Sequence, residues 1–122
     1  MKALGELEAA VMDAIWRSDK PVSVRAVYER LARERDLAYT TIMTVMERLW
    51  RKSILTRTRE GKAYLYSARR TRPEFAAALM KDVLRWARDP EGVLVRFVDD
   101  LRPNEAEELR RLIAGRRPRR GR

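Results

Sequence analysis

The order of periodic segments constrains the fold of this chain more than any other feature. Apolar residues recur at helical spacing in three consecutive segments, and two short segments rich in β-branched and aromatic residues follow directly. The spacing predicts helices over about residues 4–17, 23–35 and 39–52, the second capped by Ser23. The later segments predict a β-hairpin that turns at Glu60-Gly61. Three helices followed by a hairpin are the element order of a winged helix-turn-helix.

The third predicted helix has two chemically different faces. At about 100° per residue, Ile42, Val45, Met46 and Leu49 form an aliphatic stripe, and hydroxyl, thioether and guanidinium groups lie away from it. Arginine binds guanine N7 and O6 in bidentate fashion, and threonine or methionine methyl groups contact thymine methyls. An ordinary solvated surface is the alternative, but the basic hairpin that follows favours contact with a DNA major groove. The DNA-binding residues expected on this helix are Tyr39, Thr40, Thr41, Met43, Thr44, Arg48 and Arg51.

Positive charge is concentrated in two parts of the chain. Of the formal net charge of +10, residues 48–70 carry +7 and residues 115–122 carry +5, whereas residues 1–47 and residues 71–114 carry −1 each. A concentrated basic patch attracts nucleic acid because binding releases its counterions. A surface that only keeps the protein in solution is the alternative. On the hairpin we expect Arg57, Arg59 and Lys62 to contact phosphates.

The second half of the chain predicts further helices. Thr71 and Pro73 favour the start of a fourth helix, which continues to about Arg88. The segment 89–92 interrupts the pattern, and a short apolar segment follows over 93–101. Asn104, with Glu107 three residues later, resembles a capping box that opens a sixth helix.

Residues 73–114 are too few to build a stable core of their own, so their apolar faces need a partner. A second copy of the same segment is the simplest partner, and packing against the N-terminal region is the alternative. The sequence therefore predicts a homodimer. The residues expected in its interface are Phe75, Leu79, Val83, Val93, Leu94, Phe97, Val98, Leu101, Leu109 and Leu112.

The predicted fold class is mainly α with a small β-hairpin wing: a winged helix-turn-helix followed by a C-terminal helical dimerisation domain. The expected regions are a DNA-binding domain over 1–70, a dimerisation domain over 71–114 and a disordered arginine-rich tail over 115–122. The tail either clamps phosphates without sequence preference or simply solubilises the end of the chain.

Composition argues against several function classes. The chain has no cysteine and no histidine, which excludes thiol nucleophiles, disulfides and imidazole bases and removes most metal sites. No grouping of acid, base and nucleophile is visible, so we expect no enzyme activity, no cofactor and no small-molecule substrate. No run of about 18 apolar residues and no signal-peptide pattern is present, so a cytoplasmic location is expected.

Several motifs of this chain resemble the BlaI/MecI family of penicillinase repressors. The likeness covers about residues 3–114, and the stretch from Tyr39 to Leu49 is its most specific part. The matching segments are Leu4-Gly5-Glu6-Leu7-Glu8, Val11-Met12, Ile15-Trp16, Val24-Arg25, Ala38 to Leu49, Leu65-Tyr66, Phe97-Val98 and Glu105 to Leu112.

The resemblance implies a homodimeric, winged-helix transcriptional repressor that binds dyad operators with TACA/TGTA half-sites in double-stranded DNA. It also implies a membrane-bound sensor protease that responds to β-lactams and cuts in the fifth helix, where Arg96-Phe97 aligns with an Asn-Phe bond of the family. The copper-responsive branch of the family has cysteine pairs that this chain lacks, which argues against copper sensing. A non-specific nucleoid-type or RNA-binding module and a winged-helix protein adaptor remain the alternatives.

Overall fold

The computed structural model describes residues 4–116. Its elements are α1 (Glu6–Trp16), α2 (Val24–Ala32), α3 (Tyr39–Arg51), β1 (Leu55–Glu60), β2 (Ala63–Ala68), α4 (Arg72–Ala87), α5 (Pro90–Asp99) and α6 (Pro103–Ala114). The chain divides into two compact units, the first ending at Met80 and the second beginning at Lys81. This mainly helical fold with one hairpin confirms the expected fold class. No helix in the described part of the chain is long and apolar enough to cross a membrane.

Two helices begin at the caps that the sequence predicts. The Ser23 hydroxyl accepts a hydrogen bond of 3.1 Å from the Ala26 N–H, which satisfies a free donor in the first turn of α2. At the start of α4, the Glu74 N–H donates to the Thr71 hydroxyl and the Thr71 N–H donates to the Glu74 carboxylate, at 3.2 and 2.8 Å. This reciprocal pair is a complete capping box.

The last two helices begin earlier than their apolar patterns predict. The Asp89 carboxylate accepts a hydrogen bond of 3.0 Å from the Gly92 N–H, and Pro90 occupies the first turn of α5. The expected interruption is therefore present but shorter than 89–92, because α4 ends at Ala87 and Pro90 already lies in α5. In α6 the Arg102 N–H donates to Glu105 at 2.9 Å, so the cap precedes the expected Asn104 by two residues.

The hairpin pairs Leu55 to Glu60 with Ala68 to Ala63 in antiparallel register. Its turn is Gly61-Lys62, one residue later than expected, and Gly61 has a φ of 63°, which a side chain would disfavour. The Val22 backbone adds a short third pairing to the hairpin, with N–H···O distances of 2.9 and 2.7 Å to Tyr66. This pairing attaches the hairpin to the segment between α1 and α2.

One hydrophobic core holds α1, α2, α3 and the hairpin together. The predicted aliphatic stripe of α3 is fully turned into it, and Met12, Ile42, Met46, Leu49 and Leu55 are almost inaccessible to solvent. Because burial of an aliphatic side chain contributes roughly 1.5–3 kcal/mol, this stripe fixes which face of α3 remains outside.

Candidate nucleic-acid interface

The outer face of α3 consists of polar and cationic side chains that point away from the core. All seven residues expected on this helix to bind DNA are exposed. Arg51 lies 3.8 Å from the Glu47 carboxylate one turn earlier, and both side chains remain well exposed. A pair this open to water is worth little, so the Arg51 guanidinium can exchange it for a base edge. The face combines hydroxyls, a thioether and arginines on one rigid helix.

The three basic residues expected on the wing occupy two different environments. Arg59 and Lys62 are exposed near the turn, and the Arg59 Nε–H donates to the Gly61 carbonyl at 3.2 Å. Arg57 is half-buried: its Cζ lies 3.5 Å from the centre of the Trp50 ring and 3.8 Å from that of Tyr64. Arg59 and Lys62 therefore present exposed cations at the tip of the wing, although the Arg59 Cζ also lies 5.6 Å from the centre of the Tyr64 ring.

Aromatic contacts support the N-terminal end of α3. The Tyr39 ring packs edge-on against Tyr28 of α2, with ring centres 5.6 Å apart. The Arg25 guanidinium lies 5.3 Å from the centre of the same Tyr39 ring. The side chain that opens the candidate recognition helix is thereby held against α2, and an exposed cation lies beside it.

An ion pair supports the C-terminal end of α3. The Lys52 ammonium donates to the Glu8 carboxylate of α1 at 3.1 Å, and the Gly5 N–H donates to the other Glu8 oxygen at the same distance. Burial raises the pKa of Glu8, but the bond from Gly5 and the Lys52 charge outweigh it, so the Glu8 pKa lies below its usual range. Glu8 is thus ionised at neutral pH and fixes the end of α3 to α1.

A further set of contacts attaches the start of α4 to α1. Arg72 forms an ion pair with Asp13, and this hydrogen bond holds the Asp13 pKa below its usual range. The Trp16 indole N–H donates to the Arg70 carbonyl at 2.9 Å, and its ring lies 5.6 Å from that of Phe75. Phe75, expected in the dimer interface, therefore contacts Trp16 of its own chain.

The other residues expected in the dimer interface lie on helices with no core of their own. Between Arg72 and Arg116, all within the described residues, no side chain is buried. Val83, Val93, Leu79, Leu101 and Leu109 are half-buried. The apolar side chains that remain exposed in this region include Leu94, Phe97, Val98 and Leu112, together with Met80, Trp86, Val95 and Ile113, which the sequence interpretation did not select.

Two other expectations fall on this half of the chain. Arg96 and Phe97, the expected cleavage pair, lie exposed within α5. Of the expected tail, only Gly115 and Arg116 are described, and the Gly115 N–H donates to the Arg111 carbonyl at the end of α6. The expected disorder of residues 117–122 lies outside the described residues.

Sequence reasoning missed Trp50 and Tyr64, which contact Arg57 of the wing, and Glu8, which binds Lys52 at the end of α3. Strand alternation could have found part of this set, because Arg57 and the buried Leu55 are two residues apart and so share the inward face of β1. No local signal could have found Glu8 and Lys52, which are 44 residues apart.

A buried stripe, an exposed hydroxyl and arginine face and a cationic hairpin on one core define a winged-helix DNA-binding protein. Residues 4–115 match the family model described as "Penicillinase repressor". The chain is 44% identical over 114 residues to the transcriptional regulator BlaI of Mycobacterium tuberculosis, covering 91% of this chain and 83% of that protein. The chain belongs to the penicillinase repressor family and is a sequence-specific DNA-binding transcriptional repressor.

Two further comparisons agree with this assignment. The penicillinase repressor of Staphylococcus aureus is 26% identical over 107 residues, which cover 84% of each chain. The solution structure of the DNA-binding domain of the repressor BlaI superposes with a TM-score of 0.52 at 25% identity, over 59% of this chain and 90% of that domain. The relatives are transcriptional regulators, and the family resemblance inferred from the sequence is confirmed.

Proposed function

We propose that this repressor binds a dyad operator as a homodimer, with α3 of each protomer in a major groove and the wing on the adjacent backbone. The observation that carries the proposal is the outer face of α3, whose opposite face is entirely buried. The helix therefore has one orientation on the core, and its exposed threonines, Met43 and arginines are held ready for base edges. Half-sites of the TACA/TGTA type are proposed from the family resemblance.

The contacts divide by chemistry. Thr40, Thr41 and Thr44, with Arg51, are proposed to contact base edges, because their hydroxyl, methyl and guanidinium groups suit the major-groove pattern. Arg59 and Lys62 are proposed to contact phosphates, because they are exposed cations on the hairpin rather than on the groove-facing helix. Tyr39, Met43 and Arg48 complete the exposed face of α3, at positions where apolar or backbone contacts fit.

The homodimer is proposed from the missing core of the C-terminal helices. Residues 81–114 expose several large apolar side chains and bury none, and apolar side chains exposed in such numbers are unfavourable in water. A two-fold dimer would cover the same patch on both copies. Its two recognition helices, related by the two-fold axis, are then expected to read half-sites about 34–36 Å apart, one turn of B-DNA.

Release by a membrane-bound sensor protease at Arg96-Phe97 is a further part of the proposal. A cut there would separate the DNA-binding domain from half of the residues expected in the dimer interface, those from Phe97 onward. Operator affinity would then fall by roughly 10²–10⁴ as avidity is lost. Both residues lie inside α5, so this helix must unwind locally before a protease can bind the bond. Mass spectrometry of the protein from cells before and after β-lactam exposure tests this step. Derepression with an intact chain would overturn it.

One experiment tests the operator proposal. The full chain is used to select bound duplexes from a randomised DNA library, and gel shifts then compare the selected site with its single half-site and with a scrambled duplex. We expect the selected site to be an inverted repeat whose half-site centres lie about one helical turn apart. The protein should bind this site much more tightly than its single half-site or the scrambled duplex. No sequence enrichment, or equal affinity for all three duplexes, would instead support the non-specific nucleic-acid-binding alternative.

A further inference from the structure

Arg57 occupies a cage formed by two elements other than its own strand. Its guanidinium carbon lies 3.5 Å from the Trp50 ring centre on α3 and 3.8 Å from the Tyr64 ring centre on β2. Its Nη1–H donates to the Tyr66 hydroxyl at 3.3 Å. Because two rings at these distances cannot share one side of the planar group, the guanidinium lies between them. One side chain thus connects the recognition helix to both strands of the wing.

The position of Arg57 follows from the hairpin register. Arg57 pairs directly with Tyr66 and lies diagonally from Tyr64, so all three share the face that also carries the buried Leu55. Trp50 lies on the last turn of α3, which ends only a few residues before β1. A cation on the inner face of the wing therefore meets an aromatic ring at the end of the helix, whereas Lys62 at the turn remains solvated.

We propose that Arg57 is a positioning residue, which fixes the wing relative to the recognition helix rather than contacting DNA. A base-reading helix and a phosphate-contacting wing must reach one DNA site together, so their mutual placement is part of specificity. If the cage were absent, the wing would sample more orientations and would have to be ordered when DNA binds. The proposal rests on the proposed operator binding.

The choice of arginine supports this role. A guanidinium is planar and weakly hydrated, so it stacks between rings and still donates hydrogen bonds in its plane. A lysine ammonium keeps the charge and binds phosphate equally well as a point charge, but it cannot stack as a plate. Arg57→Lys therefore separates the role in the cage from a phosphate contact, since the stacking and the hydrogen bond to Tyr66 need the guanidinium whereas a phosphate contact needs only the charge.

The test measures binding of the selected operator duplex and of a scrambled duplex, each across a range of salt concentrations. Arg57→Lys and Trp50→Leu should each lower operator affinity by about tenfold while scrambled-duplex affinity changes less. Trp50→Phe, which keeps an aromatic ring, should restore most of the loss. Arg33→Lys, at an exposed arginine that follows α2, is the matched control and should behave as the wild type.

A double-mutant cycle completes the test. If Arg57 acts through Trp50, the Arg57→Lys/Trp50→Leu variant should bind the operator about as tightly as either single variant. Multiplied losses, or an Arg57→Lys variant with wild-type operator affinity, would overturn the proposal. An equal loss on both duplexes, matched by a lower melting temperature, would show a purely structural role and would also overturn it. Failure of the wild type to prefer the operator would refute the proposed function instead.

Discussion

The dimer interface can be tested on Phe97 and Leu112, two residues that keep 46% and 49% of their surface exposed in the single chain. Full burial of such a side chain contributes roughly 1.5–3 kcal/mol, so covering the remaining half contributes about 1 kcal/mol in each protomer. Because the dimer is two-fold symmetric, each substitution removes this contribution from both protomers. Phe97→Ala combined with Leu112→Ala should therefore weaken dimerisation by about 4 kcal/mol, or roughly a thousandfold in the dissociation constant.

Sedimentation equilibrium of the full chain measures this dissociation constant directly. Arg110→Ala, at an exposed position of the same helix as Leu112, is the control, and we expect it to change dimerisation by less than about 0.5 kcal/mol. The core of α1, α2, α3 and the hairpin contains neither mutated residue, so its thermal unfolding should persist in the double variant. A dimer as tight as the wild type would refute the assignment of these residues to the interface.

Three further predictions concern DNA contacts and the support of α3. Lys62→Ala should weaken binding to all duplexes about equally and reduce the slope of log affinity against log salt by roughly one, whereas Lys20→Ala, the control, should leave the slope unchanged. Arg51→Ala should instead narrow the gap between operator and scrambled DNA by about 1–3 kcal/mol in gel shifts, and a uniform loss would indicate a phosphate contact. Glu8→Gln should lower the free energy of unfolding by about 1 kcal/mol at neutral pH, because the Lys52 end of the pair is partly solvated. Folding lowers the Glu8 pKa, so the difference in the free energy of unfolding between the wild type and Glu8→Gln should be largest above the ordinary glutamate pKa. Denaturant titrations should show this difference vanish as the pH falls through the lowered pKa of the folded protein. A difference that does not depend on pH would contradict this.

Helix identity was predictable here because the signals are local. The aliphatic stripe of α3 repeats within the helix itself, and the caps Ser23 and Thr71 act on backbone groups three residues away. Apolar periodicity was less informative where a helix cap gave a different signal. At 89–92 the loss of apolar periodicity hid a helix start, because an aspartate cap followed by proline begins a helix without any apolar residue.

The outer face of α3 was also predictable, because burial of one face of a helix decides what the other face presents. The wing was harder to interpret. Its charge identified Arg57, Arg59 and Lys62 as one group, but charge does not reveal that the first of them meets two aromatic rings.

The sequence by itself determined the order of elements, the exposed face of the recognition helix and the family, because periodicity, capping and motif spacing are properties of short stretches of chain. Only the tertiary structure decided how that face is supported. Glu8 reaches Lys52 across 44 residues, and Trp16 reaches the Arg70 carbonyl across 54. Such contacts depend on how α1, α3 and the hairpin pack on a shared core. The periodicity of a single segment does not predict that packing.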